Sequence, residues 1–250
     1  MKAVGPLFAL LLAALLLSGC DRGTSFRYRM TVEVETPQGL RTGSAVHEVE
    51  AHHVAISVNG TVRGRNLRGQ AVAVDLPGGR TLFALMIPAE GRFGSDGTID
   101  SVLRTLDPAY NYDWVESVAR VRAGEGALPS GVIAPTFPTP YTGPSRPDQP
   151  ALFSNYPLLV TFRHLRDPAS VVRVDPADLT TPFGEGVRLR RIRVEVTDDD
   201  VTTGIERRLG WLDAYWDRPT LIPNPPATLD DPSDPNLRFL GASAFQTERN

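Results

Sequence analysis

The chain has 250 residues, a formal net charge of −3 and 41% hydrophobic residues, values typical of a globular protein that buries a sizeable core. Its mildly acidic balance argues against a nucleic-acid partner, which would need a basic surface. Cys20 is the only cysteine, which excludes an internal disulfide. The sequence contains no zinc or cofactor motif, so it predicts neither a metal nor a cofactor.

The first twenty residues carry the clearest signal in the chain. Lys2 precedes an unbroken apolar run of eleven residues, Leu7–Leu17, which suits the core of a signal peptide and is short for a membrane-spanning helix. Small residues follow, as a cleavage site requires. The motif Leu17-Ser18-Gly19-Cys20 resembles the lipobox of bacterial lipoproteins at every position.

This resemblance implies a signal peptide over residues 1–19, cleavage before Cys20 and thioether lipidation of Cys20. We therefore expect a protein held at a membrane by its lipid anchor, on the periplasmic side of the cell envelope. Inner and outer membrane both stay open; Asp21 resembles the enteric signal for retention in the inner membrane. The alternative is an ordinary signal peptide with an incidental cysteine.

The mature chain opens with strand patterns after a short spacer over residues 20–25. Residues 26–35 alternate between apolar and polar types, which indicates a half-buried strand. Thr36-Pro37-Gln38-Gly39 predicts a turn, and Ala45–Ala51 resumes the alternation. On an antiparallel pair of this kind, Glu48 and Glu50 are expected to face Arg27 or Arg29 of the first strand; the alternative is that both are solvated.

The next segments predict a strand over Val54–Val62, a polar loop over Gly64–Gly69 and then a hairpin. Residues 71–76 and 81–87 form the two arms of that hairpin, joined by Pro77-Gly78-Gly79-Arg80. The second arm is apolar on both faces. We therefore expect it to be a central strand that is covered on both sides.

Two helices are predicted between Asp96 and Ala123. Asp96 is the expected N-cap of the first, whose apolar residues recur at helical spacing up to Leu106. Asp107-Pro108 predicts the start of the second, and Gly124 suits its end. The overall prediction is an α+β fold, mostly antiparallel β-sheet with two helices packed on one face.

Residues 128–150 contain seven prolines and predict extended or irregular surface chain. We interpret this segment as a proline-rich loop inside a single domain over residues 26–250. A boundary between two subdomains, or a ligand for another domain, are the alternatives.

The last third predicts a strand over Leu158–Phe162 and a longer one over Val187–Val196. Apolar residues change face within the longer strand, which predicts a bulge near Arg190-Arg191. A short helix or turn is expected over Gly204–Trp216, and a closing strand over Leu237–Phe245.

Several short motifs lie between Tyr156 and Trp216. They are Tyr156-Pro157-Leu158-Leu159-Val160-Thr161-Phe162, Asp167-Pro168, Val174-Asp175-Pro176-Ala177-Asp178-Leu179, Phe183-Gly184-Glu185-Gly186-Val187 and Thr202-Thr203-Gly204-Ile205-Glu206. This segment resembles a recurring group of uncharacterised envelope proteins of Gram-negative bacteria. The resemblance implies no activity, so it transfers no functional residue.

Arg188, Arg190, Arg191 and Arg193 form the densest basic cluster. Guanidinium groups suit anionic headgroups or carboxylates, so this strand is a candidate site for an anionic ligand. The alternative is a solvated strand face whose charge is balanced by Glu195 and Asp198–Asp200.

Three functional hypotheses follow from the sequence. The first is a membrane-anchored binding or scaffold module that contacts an envelope protein. The second is an envelope hydrolase, although the sequence lacks a GxSxG nucleophile motif and catalytic residues are not identified. The third is a binder of a small anionic ligand at Arg188–Arg193. The first hypothesis is preferred, so the sequence does not predict an enzyme.

Overall fold

A computed structural model describes residues 23–56, 60–89, 95–138, 152–222, 237 and 240–248. The strands are β1 (Thr24–Thr36), β2 (Gly39–Ile56), β3 (Gly60–Arg68), β4 (Val72–Leu76), β5 (Arg80–Pro88), β6 (Ser130–Val132), β7 (Thr136–Pro138), β8 (Leu152–Ser154), β9 (Pro157–Phe162), β10 (Val171–Arg173) and β11 (Arg188–Val196). The α-helices are α1 (Ser95–Leu106), α2 (Trp114–Ala123), α3 (Thr180–Phe183) and α4 (Leu212–Tyr215).

The larger sheet has five antiparallel strands in the order β3-β2-β1-β11-β6. The predicted turn joins β1 to β2, with Thr36 opposite Gly39, whose φ of 105° favours glycine. Glu33 pairs with Arg191 and Val34 with Leu189, so Arg190 is the extra residue of a bulge. The bulge expected from the change of face is therefore confirmed.

A second antiparallel sheet has the order β10-β9-β5-β4. β5 lies between β9 and β4, and its residues from Thr81 to Met86 are buried, as expected of a central strand. One face of this sheet packs with the inner face of the larger sheet and with α1 and α2 in a common core. The other face packs with the C-terminal segments around Phe245 and Trp211. The predicted α+β fold is confirmed.

Residues 54–56 and 60–62 are strand, as predicted, but they belong to two strands: β2 continues to Ile56, and the chain returns as β3 from Gly60. The prediction of a polar loop over Gly64–Gly69 is wrong, because β3 continues to Arg68. Two glycines and three arginines interrupt the apolar–polar alternation of β3 and weaken its strand pattern. The ladder with β2 compensates, because it pairs β3 residue by residue from Gly60 to Arg68.

Both helix starts also differ from the prediction. α1 begins at Ser95, so Asp96 lies inside the first turn, where its Oδ2 is 2.6 Å from Arg65 Nη2. α2 begins at Trp114, and the N-cap is Asp113, whose carboxylate accepts the Glu116 N–H at 3.1 Å. The predicted end is confirmed, because Gly124 caps α2 with a φ of 71°.

The predicted closing strand over Leu237–Phe245 is wrong as well. Among its described residues, Ala242–Ala244 form a single 3₁₀ turn, and an isolated bridge to Gln70 is made only by Gln246, just after the segment. Alternate residues of this segment are buried in the second core, which produces a strand-like pattern without a ladder. The proline-rich loop is described at its two ends, where β7 pairs with β8, and residues 139–151 lie outside the described range.

None of the helices in the described part of the chain is long and apolar enough to span a bilayer. Residues 1–22, with Cys20 and the signal-peptide pattern, lie outside that part.

Candidate functional site

The four candidate arginines lie on or beside the outer face of the larger sheet. Arg188 Nε is 2.5 Å from Glu35 Oε2, and Arg191 Nε is 2.9 Å from Glu33 Oε1. Arg190, in the bulge, lies 3.6 Å from Glu33 and 3.9 Å from Glu35. Two glutamates of β1 therefore neutralise much of the charge of these three arginines. Arg193 lies opposite Thr31, in the same ladder.

The same face carries further ion pairs towards β3. Glu48 lies between Arg27, at 3.8 Å, and Arg68, at 2.9 Å, as expected for its register opposite Arg27. Arg68 also pairs with Glu248 at 2.7 Å, and Arg29 pairs with Asp199. Arginines and carboxylates thus form ion pairs across the outer face. An anionic ligand would find less unpaired positive charge there than the sequence suggested.

A different cluster forms where the C-terminal turn of α1 meets the α1–α2 connection and β7. The guanidinium carbon of Arg104 lies 3.7 Å from the ring centre of Phe137, 5.5 Å from that of Tyr112 and 5.8 Å from that of Tyr110. Its Nη1 donates to Asn155 Oδ1 at 3.2 Å. We call Arg104, Tyr110, Tyr112, Phe137 and Asn155 the arginine–aromatic surface.

Asp100 lies one turn before Arg104 in α1 and holds side chains of this surface in place through hydrogen bonds. Its Oδ1 accepts a hydrogen bond from Trp114 Nε1 at 2.7 Å and another from the Tyr110 hydroxyl. Burial and the hydrogen bond to Asp100 raise the pKa of Tyr110, so its hydroxyl stays protonated. The Tyr110 ring is therefore held by a directed hydrogen bond as well as by packing, and Trp114 is fixed beside it.

Tyr112 is the most unusual residue of the arginine–aromatic surface. It has a φ of 69°, the only positive value at a non-glycine residue in the described chain, and its side chain is 41% exposed. A left-handed conformation at such a residue costs about 1 kcal/mol or more. The fold therefore accepts backbone strain at a residue whose aromatic ring is exposed. Strained backbone of this kind is typical of functional positions.

Other exposed apolar groups gather at the same end of α1. The exposed large apolar side chains among the described residues are Leu40, Tyr112, Leu128 and Val132. Leu128 N–H donates to the carbonyl of Leu106 at 2.6 Å, and Val132 follows Gly131, which lies against Thr105. Three of the four therefore belong to segments that contact the last turn of α1. Exposed apolar side chains beside arginine and tyrosine are typical of protein-binding surfaces.

The connection between the helices is tied to the core by Asp107. This buried carboxylate accepts hydrogen bonds from Ser117 Oγ at 2.5 Å and from Arg120 Nη2 at 2.6 Å. Burial opposes ionisation, but the hydrogen bonds from Arg120 and Ser117 outweigh it and hold the pKa of Asp107 below its usual value. A charged network thus fixes α2 against the end of α1, beside the exposed rings.

A small polar cavity lies near the start of β4. It has a volume of about 180 Å³ and is lined in part by Gln70, Thr202 and Gln246. Gln246 is 3% exposed, and its Nε2 has no partner among the described residues. A second cavity, of about 240 Å³, lies beside Ser25 and Arg122. Both are smaller than usual small-molecule sites, and an ordered water could satisfy Gln246.

No group of three or more histidines, cysteines, aspartates or glutamates in the described segments is placed to hold a metal ion. Sequence reasoning did not find the arginine–aromatic surface, because its members come from α1, the helix connection, β7 and the β8–β9 connection. One signal was available, namely Tyr110-Asn111-Tyr112, two tyrosines in a short polar connection.

Comparisons with protein-family models, with curated proteins and with solved structures give no match to this chain.

Proposed function

We propose that the protein is an envelope lipoprotein, anchored through lipidated Cys20, that binds another envelope protein through the arginine–aromatic surface. The lipobox supports the anchor, and the exposed Tyr112 beside Arg104 supports the binding surface. Neither part requires a catalytic group or a bound cofactor.

The position of Cys20 is the observation that carries the proposal. β1 begins at Thr24, four residues after Cys20. Because an extended chain spans at most about 3.6 Å per residue, the lipidated residue lies within about 14 Å of the sheet. A lipid on Cys20 therefore keeps the domain at the membrane surface, where an envelope partner would be encountered at high local concentration.

The chemistry of the arginine–aromatic surface favours a protein as the partner. Tyrosine and arginine are enriched among the residues that dominate protein interfaces. Asp100 and Asn155 hold the Arg104 and Tyr110 side chains in place, so little side-chain entropy would be lost on binding.

The first prediction concerns the anchor. We expect Cys20→Ala to abolish acyl labelling and to leave an uncleaved, larger precursor, because neither thioether lipidation nor cleavage at the lipobox can occur without the thiol. The measurement is fractionation of the cells, with metabolic labelling by a clickable palmitate analogue. Ser18→Ala, which leaves the cysteine in place, is the matched control. A Cys20→Ala protein with unchanged acyl labelling would contradict the proposal.

A further inference from the structure

One edge of the larger sheet has no further strand beside it. β6 is the last strand in the order β3-β2-β1-β11-β6, and among the described strands it pairs with β11 alone. Val196 N–H donates to the Pro129 carbonyl at 2.7 Å, just before β6 begins. Ile133 N–H donates to the Ile192 carbonyl at 2.9 Å, just after β6 ends. The pairing with β11 therefore extends from Pro129 to Ile133.

The backbone groups of Ser130 and Val132 point away from β11. Successive residues of a strand direct their N–H and C=O groups to opposite edges, and Pro129 and Ile133 use theirs on β11. The outward groups of Ser130 and Val132 have no hydrogen-bond partner in the described part of the chain. They lie two residues apart, about 7 Å, which is the repeat with which a further extended chain presents its own groups.

This edge is accessible, and its sequence does not protect it. Val132 is 51% exposed. Exposed edges of natural sheets usually carry charged side chains, proline or a bulge, which prevent pairing with another chain. Residues 130–134 are Ser-Gly-Val-Ile-Ala, without a charged residue or a proline. The edge is therefore suited to the addition of a strand from another chain.

Arg193 favours one kind of added strand. It lies opposite Val132 on the outer face of the sheet, and unlike the other three candidate arginines it makes no ion pair with a described residue. A strand beside β6 would place its own side chain two strand spacings from Arg193, about 10 Å. Arginine and glutamate side chains together span that distance above the short side chain of Val132. A carboxylate on the added strand can thus pair with the unpaired guanidinium.

We propose that β6 binds an extended acidic segment of the envelope partner, which joins the larger sheet as a sixth strand and places a carboxylate near Arg193. This inference rests on the proposed function, because the partner is the protein that contacts the arginine–aromatic surface. The two sites are continuous, since Leu128 and Gly131 contact the last turn of α1, which also carries Arg104. One partner can therefore contact both.

The test uses the full chain in living cells, with a photoreactive phenylalanine analogue in place of Tyr112 as the probe. Val132→Pro removes the outward N–H and leaves the bonds to β11, because proline is tolerated on an edge strand whose N–H faces solvent. Val132→Thr is the matched variant, which keeps the N–H and a β-branched side chain. Arg193→Glu reverses the charge, and Arg193→Lys keeps it.

We expect Val132→Pro to give several-fold less crosslinked partner than Val132→Thr, and Arg193→Glu to give several-fold less than Arg193→Lys. Equal crosslinking in Val132→Pro and Val132→Thr would overturn the added strand and leave the arginine–aromatic surface intact. Equal crosslinking in Arg193→Glu and Arg193→Lys would overturn the acidic character of the segment.

The same experiment separates this inference from the proposed function. If the probe at position 112 gives no crosslinked species without any further substitution, the proposed function fails and this inference fails with it. A crosslinked species made of two copies of this chain would identify a second copy as the occupant and overturn the acidic segment. Thermal unfolding of each purified variant detects loss of folding, and Ser130→Pro blocks the same edge if Val132→Pro does not fold.

Discussion

Gly43→Ala is expected to destabilise the protein by about 3 kcal/mol or more, because the added methyl group would overpack a tight contact between the two sheets. A Cβ atom on Gly43 would lie 2.0 Å from the carbonyl oxygen of Ala73 and 2.7 Å from its carbonyl carbon. Gly43 belongs to β2 and Ala73 to β4, so the backbones of the two sheets meet here. The added methyl group must push the sheets apart.

Urea unfolding of Gly43→Ala beside the wild-type chain measures this effect. Gly210→Ala is the matched control, because nothing lies within 4 Å of a Cβ atom at that position; its stability should stay within about 0.5 kcal/mol of wild type. A Gly43→Ala chain as stable as Gly210→Ala would show that the two sheets do not meet at Ala73.

His47 is expected to make stability fall steeply in mild acid. It is 2% exposed, and its Nε2 lies 2.8 Å from the carbonyl oxygen of Gln70. A carbonyl only accepts, so Nε2 carries the proton and Nδ1 is the site of further protonation. Nδ1 has no partner among the described residues. Burial lowers the pKa of His47 to about 4, although the Gln70 hydrogen bond opposes this shift.

The direction in which pH changes the free energy of unfolding follows from whether His47 binds a proton in the folded and in the unfolded state. Between pH 6.5 and 4 an unfolded histidine binds a proton, whereas buried His47 does not. His47 therefore stabilises the fold fully above pH 6.5, and this contribution disappears as the pH falls towards 4. The total change is about 3 kcal/mol, at about 1.4 kcal/mol per unit of pKa.

Unfolding free energies of wild type and His47→Leu between pH 7 and 4.5 test this expectation. The variant loses the hydrogen bond to Gln70, so its stability at pH 7 is lower, but its slope with pH should be shallower. His53→Gln, at an exposed position, should keep the wild-type slope. A His47→Leu chain with the wild-type slope would contradict the assignment.

The parts of the fold that the sequence predicted are those in which local pattern and tertiary structure agree. The run of apolar residues in β5 predicted a central strand, and both faces of β5 are buried in the structure. The change of face in β11 marks the bulge because each face of that strand has a different environment. In both cases burial alone decides the structure.

The wrong predictions have a common physical origin: the local sequence fits more than one structure equally well, and only tertiary contacts decide between them. Asp107 and Asp113 both suit an N-cap, and only the buried contacts of Asp107 with Ser117 and Arg120 decide between them. β3 is a strand through its pairing with β2 rather than through its own pattern. The arginine–aromatic surface was missed for the same reason, because Arg104 and Phe137 meet only in the folded chain.

The most direct test of the proposed function is photo-crosslinking in living cells from position 112. A photoreactive phenylalanine analogue replaces Tyr112 in one strain and Leu40, which is 47% exposed on β2, in the control strain. We predict one discrete crosslinked protein from position 112, no such species from position 40, and a strong reduction when Cys20→Ala is added. No crosslinked species at position 112, or the same pattern from both positions, would contradict a membrane-anchored binding module.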